Sequence, residues 1–127
     1  MRFFVDNNLS PKLARGMAAF GEDVTHLQDH YPADAKDTDW LPRIGQDEWI
    51  LLTHDDRVRF KPAELGAVKQ HRVGAFYLGG KERSRWELIQ QVVRNWPRMN
   101  ELAQKTARPF ASRVGSQRGR RDSTPLV

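Results

Sequence analysis

Apolar positions along this chain fall into short β-rich runs that alternate with stretches of helical spacing. Arg2 to Asp6 (RFFVD) is the first run, closed by an acid, and predicts a buried strand. Ser10 is a good N-cap, Pro11 suits a first helical position, and Leu13, Met17 and Phe20 recur at helical spacing before Gly21, a natural stop. Asp23 to Leu27 reads as a second strand, followed by an exposed loop over Gln28 to Lys36. A helix should open near Asp37 and stay brief, because Pro42 is awkward beyond the first turn and Gly45 weakens the rest.

Trp49 to Thr53 (WILLT) is the most strand-like segment and predicts burial on both faces. A charged turn from His54 to Lys61 follows, then a helix from Pro62 to about Gln70, then a fourth strand from Val73 to Leu78 ahead of Gly79-Gly80. Ser84 and Glu87 make a capping box for an amphipathic helix carrying Leu88, Ile89, Val92 and Val93, which Trp96-Pro97 is expected to kink or break. The alternation predicts an α/β fold: a small parallel four-stranded sheet, order 2-1-3-4, with helices on both faces and right-handed crossovers.

Composition refines this outline. The 127 residues fit one domain, and the 39% hydrophobic share, with four Trp and six Phe, supports a folded core. A mean hydropathy of −0.72 requires a strongly solvated part. Residues 105–127 carry the whole net charge of +5, including Arg118, Arg120 and Arg121, and leave residues 1–104 neutral. The division expected is a folded domain over 1–104 and a basic tail over 105–127, flexible or ordered by a partner. There is no cysteine, which excludes thiolate metal sites and disulfides and suits the cytoplasm. MRFFVD is too short for a signal peptide, and no apolar run approaches the roughly 20 residues that span a bilayer.

In an open parallel sheet the functional crevice lies at the carboxyl ends of the strands, where the strand order reverses. Order 2-1-3-4 brings Asp6, ending the first strand, beside Asp55, following the third, while Asp37 and Asp39 overhang the same edge. Converging carboxylates repel one another unless a divalent cation neutralises them, and all-oxygen donors favour Mg²⁺ or Mn²⁺. Such an ion suits phosphodiester hydrolysis. The histidines His26, His30 and His71 show no ligand spacing and are expected to be surface or partly buried. Trp86 and Trp96 are expected to be core or interface anchors.

At these acids the chain resembles a known family. VDNNL (Val5 to Leu9) resembles the strand-one signature of PIN domains, an Asp followed two positions later by Asn, here Asp6 and Asn8. KDTDWL (Lys36 to Leu41) resembles the helical acidic motif of VapC-type PIN-like toxins, and LLTHD (Leu51 to Asp55) their strand-three Thr-x-Asp, which carries over to Asp37, Thr53 and Asp55. The resemblance spans about residues 1–80. It implies a Mg²⁺-dependent endoribonuclease, commonly the toxin of a toxin–antitoxin pair, with RNA and a small antitoxin protein as partners and a homodimer left open. Asp6, Asp37 and Asp55 would be the catalytic, metal-holding acids, with Asp39 and Asp56 as second-rank ligands. Asn8, Lys12, Thr53, His54 and Arg57 would contact RNA.

Two positions depart from the pattern: Asn7 and Arg57 stand where acids are often found. A degenerate, non-catalytic RNA-binding module is therefore the first alternative. A receiver-like signalling domain is the second, and against it the sequence offers no clear fifth strand with its Lys.

Overall fold

The computed structural model describes residues 1–54, 62–80, 83–115 and 124–125, with 62–64 and 124–125 described by backbone alone. The elements are β1 (Phe3–Val5), α1 (Pro11–Ala19), β2 (Val24–His26), a 3-10 turn (Leu27–Asp29), α2 (Asp37–Gln46), β3 (Ile50–His54), α3 (Pro62–Gln70), β4 (Gly74–Leu78), α4 (Arg85–Lys105), β5 (Phe110–Val114) and β6 (Thr124–Pro125). They form an α/β fold whose sheet runs β2-β1-β3-β4-β5-β6. The first five strands are parallel; β6 pairs antiparallel with β5.

The expected order of the first four strands is present, but the sheet does not end with them. β5 lies in the stretch that the sequence reads as tail, and it pairs along its length with β4, from Gly74 opposite Phe110 to Leu78 opposite Val114. Phe110, Ala111 and Val114 are buried, so this strand contributes three residues to the core, and their Arg-rich surroundings hid them. Gln91, buried on α4, stitches this edge: its Nε2 donates to the carbonyls of Gly79, Val114 and Gly115 at 3.0, 3.2 and 3.1 Å. Arg118, Arg120 and Arg121 lie outside the described residues.

Strand alternation sorts the core into two layers. Phe3, Val5, Ile50, Leu52, Phe76, Leu78 and Phe110 pack with Leu13 and Ala14 of α1 and with Leu88, Val92 and Met99 of α4. Phe4, Leu51, Ala75, Tyr77 and Ala111 face α2 and α3 through Trp40, Leu41, Ile44 and Val68. Each such aliphatic or aromatic side chain contributes roughly 1.5–3 kcal/mol on burial.

This layering decides the hand of the last crossover. The β1–α1–β2 connection steps one way along the sheet with α1 on one face, and β4–α4–β5 steps the opposite way with α4 on that same face. The two are therefore of opposite hand, while α2 and α3, on the other face, share the hand of α1. One connection, through α4, therefore differs in hand from the other three. The reason is coverage: α1 has nine residues and alone cannot cover Phe3, Phe76 and Phe110. α4, with 21 residues or about 31 Å of helix, supplies the missing layer. Trp96 seals it, its ring 4.5 Å from that of Phe3 and its Nε1 donating to Glu22 at 2.6 Å.

Both internal prolines are absorbed. α2 runs ten residues through Pro42, and α4 continues through Pro97 to Lys105, contrary to the expected short helix and break. Side-chain amides satisfy backbone carbonyls around Pro97: Asn95 donates to Gln91 and Asn100 to Trp96, at 2.7 and 2.8 Å. Gly45, which should weaken α2, is there for contact. A Cβ at that position would lie 2.0 Å from the carbonyl oxygen of His71, so a side chain would force α2 away from the end of α3.

Candidate active site

Asp6 leaves β1 at the carboxyl edge of the sheet, beside β3, where the chain's path along the sheet reverses. Its carboxylate is oriented from two sides. The backbone N–H of Asn7 donates to Oδ1 at 2.6 Å, and the Thr53 hydroxyl lies 3.1 Å from Oδ2. Thr53 Oγ1 lies at the same 3.1 Å from Asn8 Oδ1, so its single proton serves one acceptor at a time, while it accepts from Asn8 Nδ2 at 2.8 Å. Asn8 also accepts from the backbone N–H of His54 at 3.0 Å and donates to the His54 carbonyl. The strand-one Asp-x-Asn and the strand-three Thr are thus one hydrogen-bonded unit joining β1 to β3. Asn8 and the 95%-buried Thr53, expected as RNA contacts, are hydrogen-bonded within this unit and orient Asp6.

The loop that carries this unit is fixed from below. His26, expected at or near the surface, is fully buried; its Nε2 donates to the Leu9 carbonyl at 2.9 Å and its Nδ1 accepts from Gln28 N at 3.0 Å. Asn7 is held by Gln28 at 3.0 Å and by the Ala33 carbonyl at 2.6 Å. A carbonyl can only accept, so Nε2 of His26 is the donor and Nδ1 the acceptor in this pair of bonds. Next to it Asp29 sits below the usual carboxylate range because the His26 N–H, and then Arg15, stabilise its charge.

A cleft of about 380 Å³ opens from this unit along the α2/α3 face. Asp6, Asn8, Thr53, His54 and Asp37 line it together, so five of the expected site residues meet. Asp37 arrives as the first residue of α2. His54 donates from Nε2 to the Gly80 carbonyl at 2.9 Å. Asp39, expected as a second-rank ligand, does not line this cleft; its Oδ2 accepts the Lys36 N–H at 2.9 Å at the start of α2. Lys12 lines a different cleft, on the α1/α4 face. Asp55, Asp56 and Arg57 lie outside the described residues.

The sequence reading missed the wall of the cleft. Trp40, one helical turn from Asp37, is buried, and its indole N–H has no acceptor among the described residues. Leu51 and Tyr77 form the floor, and Gln70 and His71 close the far end. The i to i+3 spacing of Asp37 and Trp40 was the available signal; nothing local marks Tyr77 or His71.

Among the described residues no group of three His, Cys, Asp or Glu could hold a metal ion. The donors present are nevertheless of the right chemistry. Two carboxylates and the amide and hydroxyl oxygens of Asn8 and Thr53 are all hard ligands, and Mg²⁺ is commonly held through one or two carboxylates, with substrate phosphates completing its shell.

A family model described as a PIN like domain matches residues 1–80. The chain belongs to the PIN-like domain family. The matched span covers β1 through β4 and holds the whole Asp6–Asn8–Thr53 unit, whereas α4 and β5 lie beyond it. Comparison with curated proteins and with solved structures found no match. PIN-like domains commonly have nuclease activity. The receiver-like alternative loses one of its two objections, since a fifth strand exists, but Phe110 to Gly115 contains no Lys. Among the described residues no helix is long and apolar enough to cross a membrane.

Proposed function

We propose that this PIN-like protein is a metal-dependent endoribonuclease that hydrolyses RNA phosphodiesters at the cleft of Asp6 and Asp37. The observation that carries the reading is the oriented Asp6 carboxylate at the reversal point of the sheet, sharing one cleft with Asp37. Asp6 and Asp37, with Asp55 assigned by its place in the Thr-x-Asp motif and Asp56 as a reserve ligand, would hold Mg²⁺ or Mn²⁺. A bound divalent ion supplies the Lewis acidity that draws charge from a phosphate in its transition state. The chain's own contribution is orientation. Asn7 N–H and the Thr53 hydroxyl fix both oxygens of Asp6, and Asn8 locks β3 to β1 at that edge.

Purified protein with Mg²⁺ or Mn²⁺ should cut single-stranded or structured RNA; EDTA, Asp6→Asn and Asp55→Asn should each stop it. Retained cleavage by both variants would sink this reading. The role of toxin, with a small antitoxin as partner, rests on the likeness of KDTDWL and LLTHD to the VapC-type motifs. Its test is growth arrest on expression of the wild type and none with Asp6→Asn. One observation supports a second reading, a non-catalytic RNA binder: among the described residues only two acids line the cleft, and Asn7 follows Asp6. RNA bound tightly but never cut, with any divalent metal, would favour it.

A further inference from the structure

The edge that carries Asp6 has a second opening on the opposite face of the sheet. It is a cleft of about 400 Å³ between the start of α1 and the start of α4, in the size range of small-ligand sites, roughly 300–1,000 Å³. Its polar lining includes Asn7, Ser10, Lys12, Arg15 and Arg85, and none of its lining residues is a carboxylate. Arg15 shares its charge with Asp29 at 3.0 Å. Lys12 and Arg85 have no ion-pair partner among the described residues and are exposed. The nearest acid on α4, Glu87, is turned to the Ser84 N–H at 3.1 Å and to Arg83 at 3.4 Å. Both helix ends are already capped by serines, Ser10 accepting from Lys12 N and Ser84 from Glu87 N, so the charge on offer is that of the side chains. Leu88, buried, and Ile89, half-buried, give an apolar floor.

Asn8 lines both clefts, so the cationic one begins where the carboxylate one ends. We propose that the α1/α4 cleft takes a backbone phosphate of the same RNA strand, next along from the linkage held over Asp6, with Lys12 and Arg85 as its cationic contacts. This rests on the nuclease reading for the location of the scissile bond. The chemistry follows from the polymer: a ligand that repeats its charge at every unit needs a cationic subsite next to the one where a linkage is cut. An Arg fork with a Lys point charge suits phosphate oxygens, and the apolar floor suits a ribose or base edge.

The test is fluorescence anisotropy with a 5′-labelled 12-nucleotide oligouridylate in EDTA, where no cleavage competes. Lys12→Gln with Arg85→Gln should weaken binding about tenfold and lower the slope of log K against log salt by about 0.7, the loss of one single-strand phosphate contact. The control Lys69→Gln with Arg98→Gln removes equal charge outside both clefts and should change affinity less than twofold. An unchanged slope in the first variant, an equal loss in the control, or no binding by the wild type would overturn the proposal. So would a polyglutamate of equal charge that binds as tightly and is weakened equally by the first pair, which would mark a surface for acidic protein segments. The nuclease reading fails separately, if cleavage is retained by both Asp6→Asn and Asp55→Asn. A slope change in the Lys12/Arg85 variant without any cleavage by the wild type would leave the cationic subsite standing and remove the enzyme.

Discussion

The two clefts at the carboxyl edge of the sheet are built from the same loop and have opposite chemistry. On the α2/α3 face, Asp6 and Asp37 look into a slot floored by Leu51 and Tyr77. On the α1/α4 face, Lys12, Arg15 and Arg85 surround a slot floored by Leu88 and Ile89. Asn8 is the wall between them, and its amide is committed to β3 rather than to either opening. The contrast teaches that a sheet edge can separate charge: carboxylates gather on one side of Asn8 and cations on the other.

The largest expected effect breaks one side only. Asp6→Asn should lower metal-dependent RNA cleavage by at least about 100-fold, while anisotropy with the labelled oligouridylate in EDTA stays within twofold of wild type. Loss of binding by this variant would show that the clefts are not separable. The reverse change comes next. Lys12→Gln with Arg85→Gln should cost about tenfold in affinity and show up in KM more than in kcat, because a flanking phosphate is bound in the ground and transition states alike.

The wall is a subtler target. Thr53→Val keeps the shape of a buried side chain but removes the hydroxyl between Asp6 and Asn8. It should destabilise the fold by about 1–2 kcal/mol in urea titration and, on the proposed metal role of Asp6, slow cleavage about tenfold, the low end for loss of a group that orients a ligand. A kcat unchanged beside a clear loss of stability would show that Asp6 needs no help from β3.

The smallest effect concerns a group that lines neither cleft. Burial, and then the nearby Arg43 charge, hold His30 below the ordinary histidine range. The unfolded chain takes up that proton near pH 6.5, and the folded chain resists it, so the unfolded state binds more protons in the window just below. The His30 contribution to stability is therefore complete above pH 6.5 and is lost as pH falls toward the folded value. Thermal unfolding should shift down between pH 7.5 and 5.5, less so in His30→Gln, with RNA affinity unaltered by the substitution at pH 7.5.

Much of the scaffold was legible because its signals are local. Ser10-Pro11, Ser84 with Glu87, and the run WILLT state their own structure through a cap, a capping box and a continuous apolar stretch. The meeting of Asp6, Asn8, Thr53 and Asp37 was legible too, because strand order 2-1-3 makes neighbours of the ends of the first and third strands. The departures arose where a residue's partner is far away. Pro42 and Pro97 looked like stops, yet packing holds the helices through them. Asp39 shares an acidic motif with Asp37 but spends its carboxylate on Lys36. His26 has no motif at all, and only its burial beneath Leu9 explains it.

By itself, the sequence determined the succession of strands and helices from β1 to the start of α4, that the first strand ends in an acid, and that residues 1–80 match the family. The tertiary structure alone decided that Phe110–Val114 extends the sheet, that α4 crosses on the face of α1, and that Lys12 and Arg85 face one opening. Hydrophobic periodicity reports that a residue will be buried, which is a property of a few neighbours along the chain. It does not report against what, because that depends on which face of the sheet is still uncovered when the rest has packed.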